Sequence, residues 1–304
     1  MRPINKGDKP NTRVGQYREY YKLLVSQIGN YCSYCERPLP DSELNVEHIR
    51  PKSTNKEYEL CWDNLLLSCF TCNTRKDHCE SAIKDVNDLN YDEYAFPHIY
   101  DTYHLIDYPS PTYMPEFSAN GDRKYQSQVE KLLHLIQLDN ADNMTEAQLL
   151  DENEISKFRI FAGQEAAELK KDLGKVYNEE KLEATKKKIK REIEKLGFWS
   201  IWMKAFEDVA PIKAYLLSLI PGTEVEYFDD SEEIRQTCEH KHKYNDIIGT
   251  LASRLYYINQ KGSIPHNEEW NNSIETAINK RLPEMTDEEQ KHIQKYLDEI
   301  KSKQ

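Results

Sequence analysis

Four of the seven cysteines stand as Cys32-x-x-Cys35 and Cys69-x-x-Cys72, a spacing that lets both sulfurs of a pair reach one metal ion. Two such pairs make a closed four-thiolate site, which is the chemistry of structural Zn²⁺, because no coordination position stays open for a substrate. The gap of 33 residues between them, Glu36 to Ser68, is longer than a simple zinc ribbon needs, so a further segment hangs between the pairs. That segment reads Val46-Glu47-His48-Ile49-Arg50-Pro51-Lys52, then Trp62-Asp63-Asn64-Leu65-Leu66-Leu67, and the second pair runs straight into Asn73-Thr74-Arg75-Lys76. Neighbours on a strand face opposite ways, so Glu47 and His48 have different tasks. The carboxylate can hold a cation. An imidazole that titrates near neutrality suits deprotonation of water once a partner fixes its tautomer. Asn73, anchored beside the zinc-bound turn, offers an amide oxygen for Mg²⁺ or Mn²⁺.

Around these residues the chain divides into four parts. Residues 1–30 form an N-terminal basic segment with six basic and two acidic groups; Tyr17, Tyr20, Tyr21, Leu24, Val25 and Ile28 recur at helical spacing up to Gly29-Asn30. That helix either packs on the next module or turns a face to phosphate, with packing the favoured reading. Residues 31–80 are the compact module, with Leu44 to His48 strand-like. Residues 81–122, rich in Tyr and Pro, read as an irregular segment wrapping the module, closed by a turn at Asn120-Gly121-Asp122. Residues 123–304 read as a helical domain for a partner or substrate, with helices over 124–138, 146–174, 178–196, 198–220, 240–260, 267–281 and 286–302. The fold class expected is α+β, a small ββα module followed by helices. Trp199, Trp202 and Phe206 read as core. The run Lys186 to Arg191 has acidic neighbours and reads as a solvated helix face. The acidic stretch Glu224 to Glu233 reads as a linker or a partner-facing surface. His78, Cys79 and the set Cys238, His240 and His242 look like metal ligands, but without a fourth partner nearby an ordinary helix is the better reading.

A formal net charge of −12 excludes binding to nucleic acid by bulk charge, so any such role needs a local site. No apolar run is long enough for a membrane span, and the first residues lack the apolar core of a secretory signal, so a cytoplasmic protein is expected.

The Cys-x-x-Cys pair, Glu47-His48, Asn64, and then Cys-x-x-Cys-Asn73-x-x-Lys76 together resemble the HNH endonucleases over residues 31–78. The closer likeness is to their zinc-stapled branch, a ββα-metal fold of two strands and a helix around one catalytic cation. The resemblance implies His48 as general base, Glu47 and Asn73 as ligands of Mg²⁺ or Mn²⁺, and Asn64 as the residue that orients the loop and the base. It makes Arg50, Arg75 and Lys76 candidates for phosphate contact. The family's acidic position is more often aspartate, which makes Asp63 the alternative carboxylate. The whole layout is similar to the HNH subunits of bacterial antiphage systems of the Septu type, some of them retron-associated, in which an SMC- or ABC-type ATPase binds and controls the nuclease. What this implies is a metal-dependent endonuclease acting on nucleic acid, DNA ahead of RNA, under an ATPase partner. The alternative is an inert zinc-module adaptor in a larger complex.

Overall fold

The structure is a computed structural model and describes residues 1–8, 14–40, 43–53, 55–82, 93–139, 154–262, 275–276 and 278–303. Its centre is the expected ββα unit. Strands β1 (Leu44–His48) and β2 (Leu65–Cys69) pair antiparallel, with Glu47 opposite Leu66 and His48 opposite Leu65. β2 is buried throughout, which its run of three leucines requires, and it continues without a break into the helix Phe70–Ala82. In chain order the helices are α1 (Tyr21–Ile28), α2 (Phe70–Ala82) and the short α3 (Thr102–Leu105), the last beside a two-residue pair, β3 (Ile106–Asp107) with β4 (Glu116–Phe117). Then follow α4 (Gln126–Leu135), α5 (Glu154–Leu173), α6 (Glu179–Leu196), α7 (Trp199–Phe206), α8 (Ala210–Leu219), α9 (Glu232–Lys261) and α10 (Asp287–Ser302).

The N-terminal segment differs from a phosphate-binding face at two of its basic residues. Arg2 and Lys6 are buried, and Lys6 Nζ donates to the carbonyls of Trp62, Asp63 and Leu65 at 2.9–3.0 Å. Arg2 donates to the carbonyls of Ile28 and Pro221. These cations satisfy main-chain oxygens inside the fold. α1 packs on the module and stops at Gly29, whose φ of +78° is a conformation that glycine adopts without strain.

Two helix expectations change. The expected helix over 198–220 is two helices, because Pro211 lacks the amide hydrogen that a continuous helix needs there and instead sits in the first turn of α8. The expected helix over 240–260 begins eight residues earlier, at Glu232, and the side chain of Ser231 accepts from the Ile234 amide and caps α9. The acidic stretch is therefore no linker: it comprises a 3-10 turn, Val225–Phe228, and the first turn of α9, and Glu224 is buried. The expectations over 146–153 and 267–274 lie outside the described residues. The basic run on α6 is an exposed face with local pairs such as Lys186 to Glu183 and Lys190 to Glu194.

One apolar core joins Leu65, Leu66, Leu67 and Trp62 of the module to Phe96, Tyr100, Trp199, Trp202 and Phe206, so the aromatic trio is core. A second, smaller cluster lies between α9 and α10, around Leu251, Ile258, Ile293 and Leu297. α9 also crosses the module: Cys61 Sγ donates to the Gly249 carbonyl at 3.6 Å, and a Cβ on Gly249 would fall 1.9 Å from Asp63 Oδ2. Among the described residues, no helix is long and apolar enough to cross a membrane.

Candidate active site and metal centre

The four cysteines converge as their spacing requires. The first pair lies in a turn whose Ser33 amide donates to the Leu67 carbonyl, which lays the turn against β2; the second pair spans the junction of β2 and α2. All four sulfurs are buried and lie within 4.8 Å of one another, with Cys35 and Cys69 3.8 Å apart. Tetrahedral zinc with Zn–S bonds of about 2.3 Å needs sulfurs about 3.8 Å apart, so the cluster fits the ion. Hydrogen bonds from Cys32, Cys35 and Cys72 push the Cys69 thiol far below its usual value, while burial raises Cys32 and its three neighbours raise Cys72. Metal binding replaces the thiol protons of such a cluster. Burial works against the Arg37 guanidinium, but nearby Cys35 and Cys69 still raise its pKa, so a cation stands beside the thiols.

The two faces of β1 carry different chemistry. On one face Glu47 is buried, and Lys76 Nζ, itself buried, meets its Oε1 at 3.0 Å and also donates to the His48 carbonyl at 3.0 Å. Asn73 lies three residues before Lys76, on the same face of α2, and its Nδ2 donates to Asp77 Oδ2 at 3.4 Å. A carboxylate and a carboxamide oxygen are hard donors that fit Mg²⁺ or Mn²⁺. On the other face His48 Nε2 lies 3.1 Å from the Glu59 carbonyl. A carbonyl only accepts, so Nε2 carries the proton and Nδ1 the lone pair. Burial lowers the His48 pKa to about 4, so the ring is neutral. Asn64 is buried and bonds across the loop after His48: its Oδ1 accepts from the Arg50 amide at 2.7 Å, and its Nδ2 donates to the carbonyls of Arg50 and Tyr58 at 3.0 and 3.3 Å.

This arrangement coincides with a family match. Residues 32–78 fit the model of the HNH endonucleases. The module is an HNH domain. The chain is 40% identical over 62 residues to the Septu protein PtuB of Bacillus thuringiensis, and 38% identical over 60 residues to the HNH endonuclease ascribed to retron Vc95 of Vibrio cholerae. Each alignment covers 19% of this chain, and the chain spans 24% and 29% of the length of those two relatives. No solved structure matches.

Within the HNH domain the three candidate phosphate contacts each have a partner inside the fold. Lys76 is enclosed between Glu47 and the His48 carbonyl, Arg75 donates to the Gln137 carbonyl at 3.2 Å, and Arg50 lies 3.6 Å from Asp246 of α9 with its guanidinium over the Tyr58 ring. All three hold the HNH domain together or tie it to the helices. Asp63 turns toward Gly249, away from the role of alternative carboxylate. His78 is exposed, and Cys79 Sγ meets the His134 carbonyl at 3.7 Å.

Three groups beside His48 have no counterpart in the sequence expectations. The Glu59 carbonyl fixes the ring, the Tyr17 ring meets it edge-on at 4.6 Å between centroids, and exposed Lys52 donates to Tyr17 Oη at 2.9 Å. Lys52, four residues after His48, was the legible one; a main-chain carbonyl leaves no signature in side-chain chemistry.

Proposed function

We propose that this chain is a metal-dependent endonuclease that hydrolyses phosphodiester bonds of nucleic acid, DNA ahead of RNA. The observation that carries this reading is the bond from His48 Nε2 to the Glu59 carbonyl, since it makes Nδ1 the basic nitrogen within a matching HNH domain. His48 then takes a proton from water at Nδ1 as the water attacks phosphorus. Asn64 keeps the loop from Arg50 to Tyr58 in place, and with it the segment that ends at Glu59. Glu47 and Asn73 would hold the cation, and Lys76 pairs with the Glu47 carboxylate. When bound, a hard divalent cation supplies positive charge that offsets the charge growing on the phosphate. The four cysteines hold structural zinc and keep β2 and α2 in register.

The relatives' names extend the proposal. One is named a Septu protein and the other an HNH endonuclease of a retron, and with the likeness of the layout to Septu-type antiphage systems these names support a role as the effector nuclease of a bacterial defence system, controlled by an SMC- or ABC-type ATPase. The acidic chain suits that arrangement, because a partner's surface then holds most of the polyanion.

The test incubates wild type and His48→Ala with plasmid, single-stranded DNA and total tRNA, with and without Mn²⁺, alone and co-expressed with an ATPase encoded beside it. The expected result is metal-dependent cleavage that falls by about 10²–10⁴-fold in His48→Ala, with zinc content unchanged. Cleavage retained in the variant overturns the assignment of the base. Silence of both proteins in every arm, partner included, supports the adaptor reading.

A further inference from the structure

A second set of metal-ligating side chains converges where α9 follows the 3-10 turn Val225–Phe228. Cys238 and His242 are four residues apart in α9 and so share a face, and Glu224 reaches them from the cap of the turn. One donor atom of each lies within 4.8 Å of the others. Glu224 and Cys238 are buried, and Glu224 Oε2 meets His242 Nε2 at 2.8 Å. His240, between the two α9 residues in sequence, is not part of the set, since it pairs with Glu289 of α10 at 2.8 Å.

We propose that Glu224, Cys238 and His242 hold a zinc ion separate from the four-cysteine site. The mixed sulfur, nitrogen and oxygen set suits zinc. One thiolate and one carboxylate balance the charge of the ion, so the buried complex is neutral, and binding releases the thiol proton of Cys238 to solvent with no change of redox state. The site would tie the start of α9 to the N-terminal segment, because the Glu224 amide donates to the Pro3 carbonyl and Asn5 to the Gly222 carbonyl.

The test is metal content by mass spectrometry on the full chain, loaded with zinc at micromolar concentration and desalted. Two zinc ions per chain are expected, one for each cluster, and one in Glu224→Gln, Cys238→Ser and His242→Gln. Glu224→Gln keeps the size and polarity of the side chain, so it decides if the other two fail to fold by circular dichroism. Titration of the wild type with Co²⁺ gives a second readout: a second equivalent should add a thiolate charge-transfer band weaker than that of the first. Saturation of the wild type at one equivalent, or two ions in a folded Glu224→Gln, overturns the proposal.

Discussion

The two faces of β1 are closed by different stretches of the chain. Glu47 is closed by Lys76, from the helix that follows directly on β2, so that side of the site is made within the HNH domain. His48 is closed by the Glu59 carbonyl, in a loop whose next residues rest on α9: Cys61 bonds to Gly249, 188 residues further on, and Arg50 meets Asp246. The face assigned to the cation is thus locally encoded, and the face assigned to the base depends on the helical region. Variants that strike both faces, one face or the other separate these cases.

The largest effect should come from Cys69→Ser, which strikes both. Cys69 ends β2 and begins the junction with α2, and structural zinc contributes about 10–16 kcal/mol to folding of small sites. The variant should lose zinc and the cooperative melt of the HNH domain, read by metal analysis and limited proteolysis. A melt like that of the wild type would show that the cysteines are no staple.

Lys76→Met tests the Glu47 face alone. Removing one member of a buried pair leaves an uncompensated charge and costs about 3–5 kcal/mol, to be read by urea denaturation. Lys76→Met combined with Glu47→Gln should recover much of that loss, because the stranded charge goes with it. If the double variant is no more stable than Lys76→Met, the pair is not what Lys76 contributes.

How much of this was legible in the sequence follows the same division. The cysteine pairs, the ββα order and Asn64 stand close together in sequence, and their types and spacing carry the local geometry. Lys76, Arg75 and Arg50 read as phosphate contacts because a basic residue in such a motif looks the same whether it meets solvent or a buried carboxylate. Burial of Lys76 against Glu47 is a property of the packed strand and helix. The Glu59 carbonyl and the crossing of Asp63 by Gly249 have no sequence signal at all. Cys238 and His242 stood out, but their partner Glu224 lies fourteen residues before Cys238, outside the helical spacing.

Gly249→Ala tests the His48 face. The added Cβ would meet Asp63 Oδ2 at 1.9 Å and Asp63 Cγ at 2.6 Å, so α9 or the loop must shift. Overpacking of this kind costs about 1–3 kcal/mol. Cleavage should fall while zinc in the four-cysteine site stays. Gly249→Ala with Asp63→Ala should restore activity, since the colliding atoms are those of the Asp63 carboxylate; a double variant as weak as the single one would place the damage elsewhere on α9.

The smallest effect should come from Lys52→Ala. Its ammonium is exposed, lies 4.0 Å from the centroid of the Tyr17 ring and donates to Tyr17 Oη, and that ring contacts His48. An exposed contact of this type adds little to stability, so the melt should not move. Its place beside the base nevertheless puts an exposed cation there, whereas Lys76 is buried against Glu47 and Arg50 and Arg75 are half-buried and bonded within the fold. If Lys52 neutralises one phosphate, its loss should raise KM more than it lowers kcat and should cut the slope of log kcat/KM against log salt by about 0.7–0.9. Lys187→Ala, on the exposed face of α6, is the control and should leave that slope unchanged. Equal slopes for Lys52→Ala and wild type would show that the His48 face takes no phosphate charge from Lys52, and that the substrate is held from outside the HNH domain.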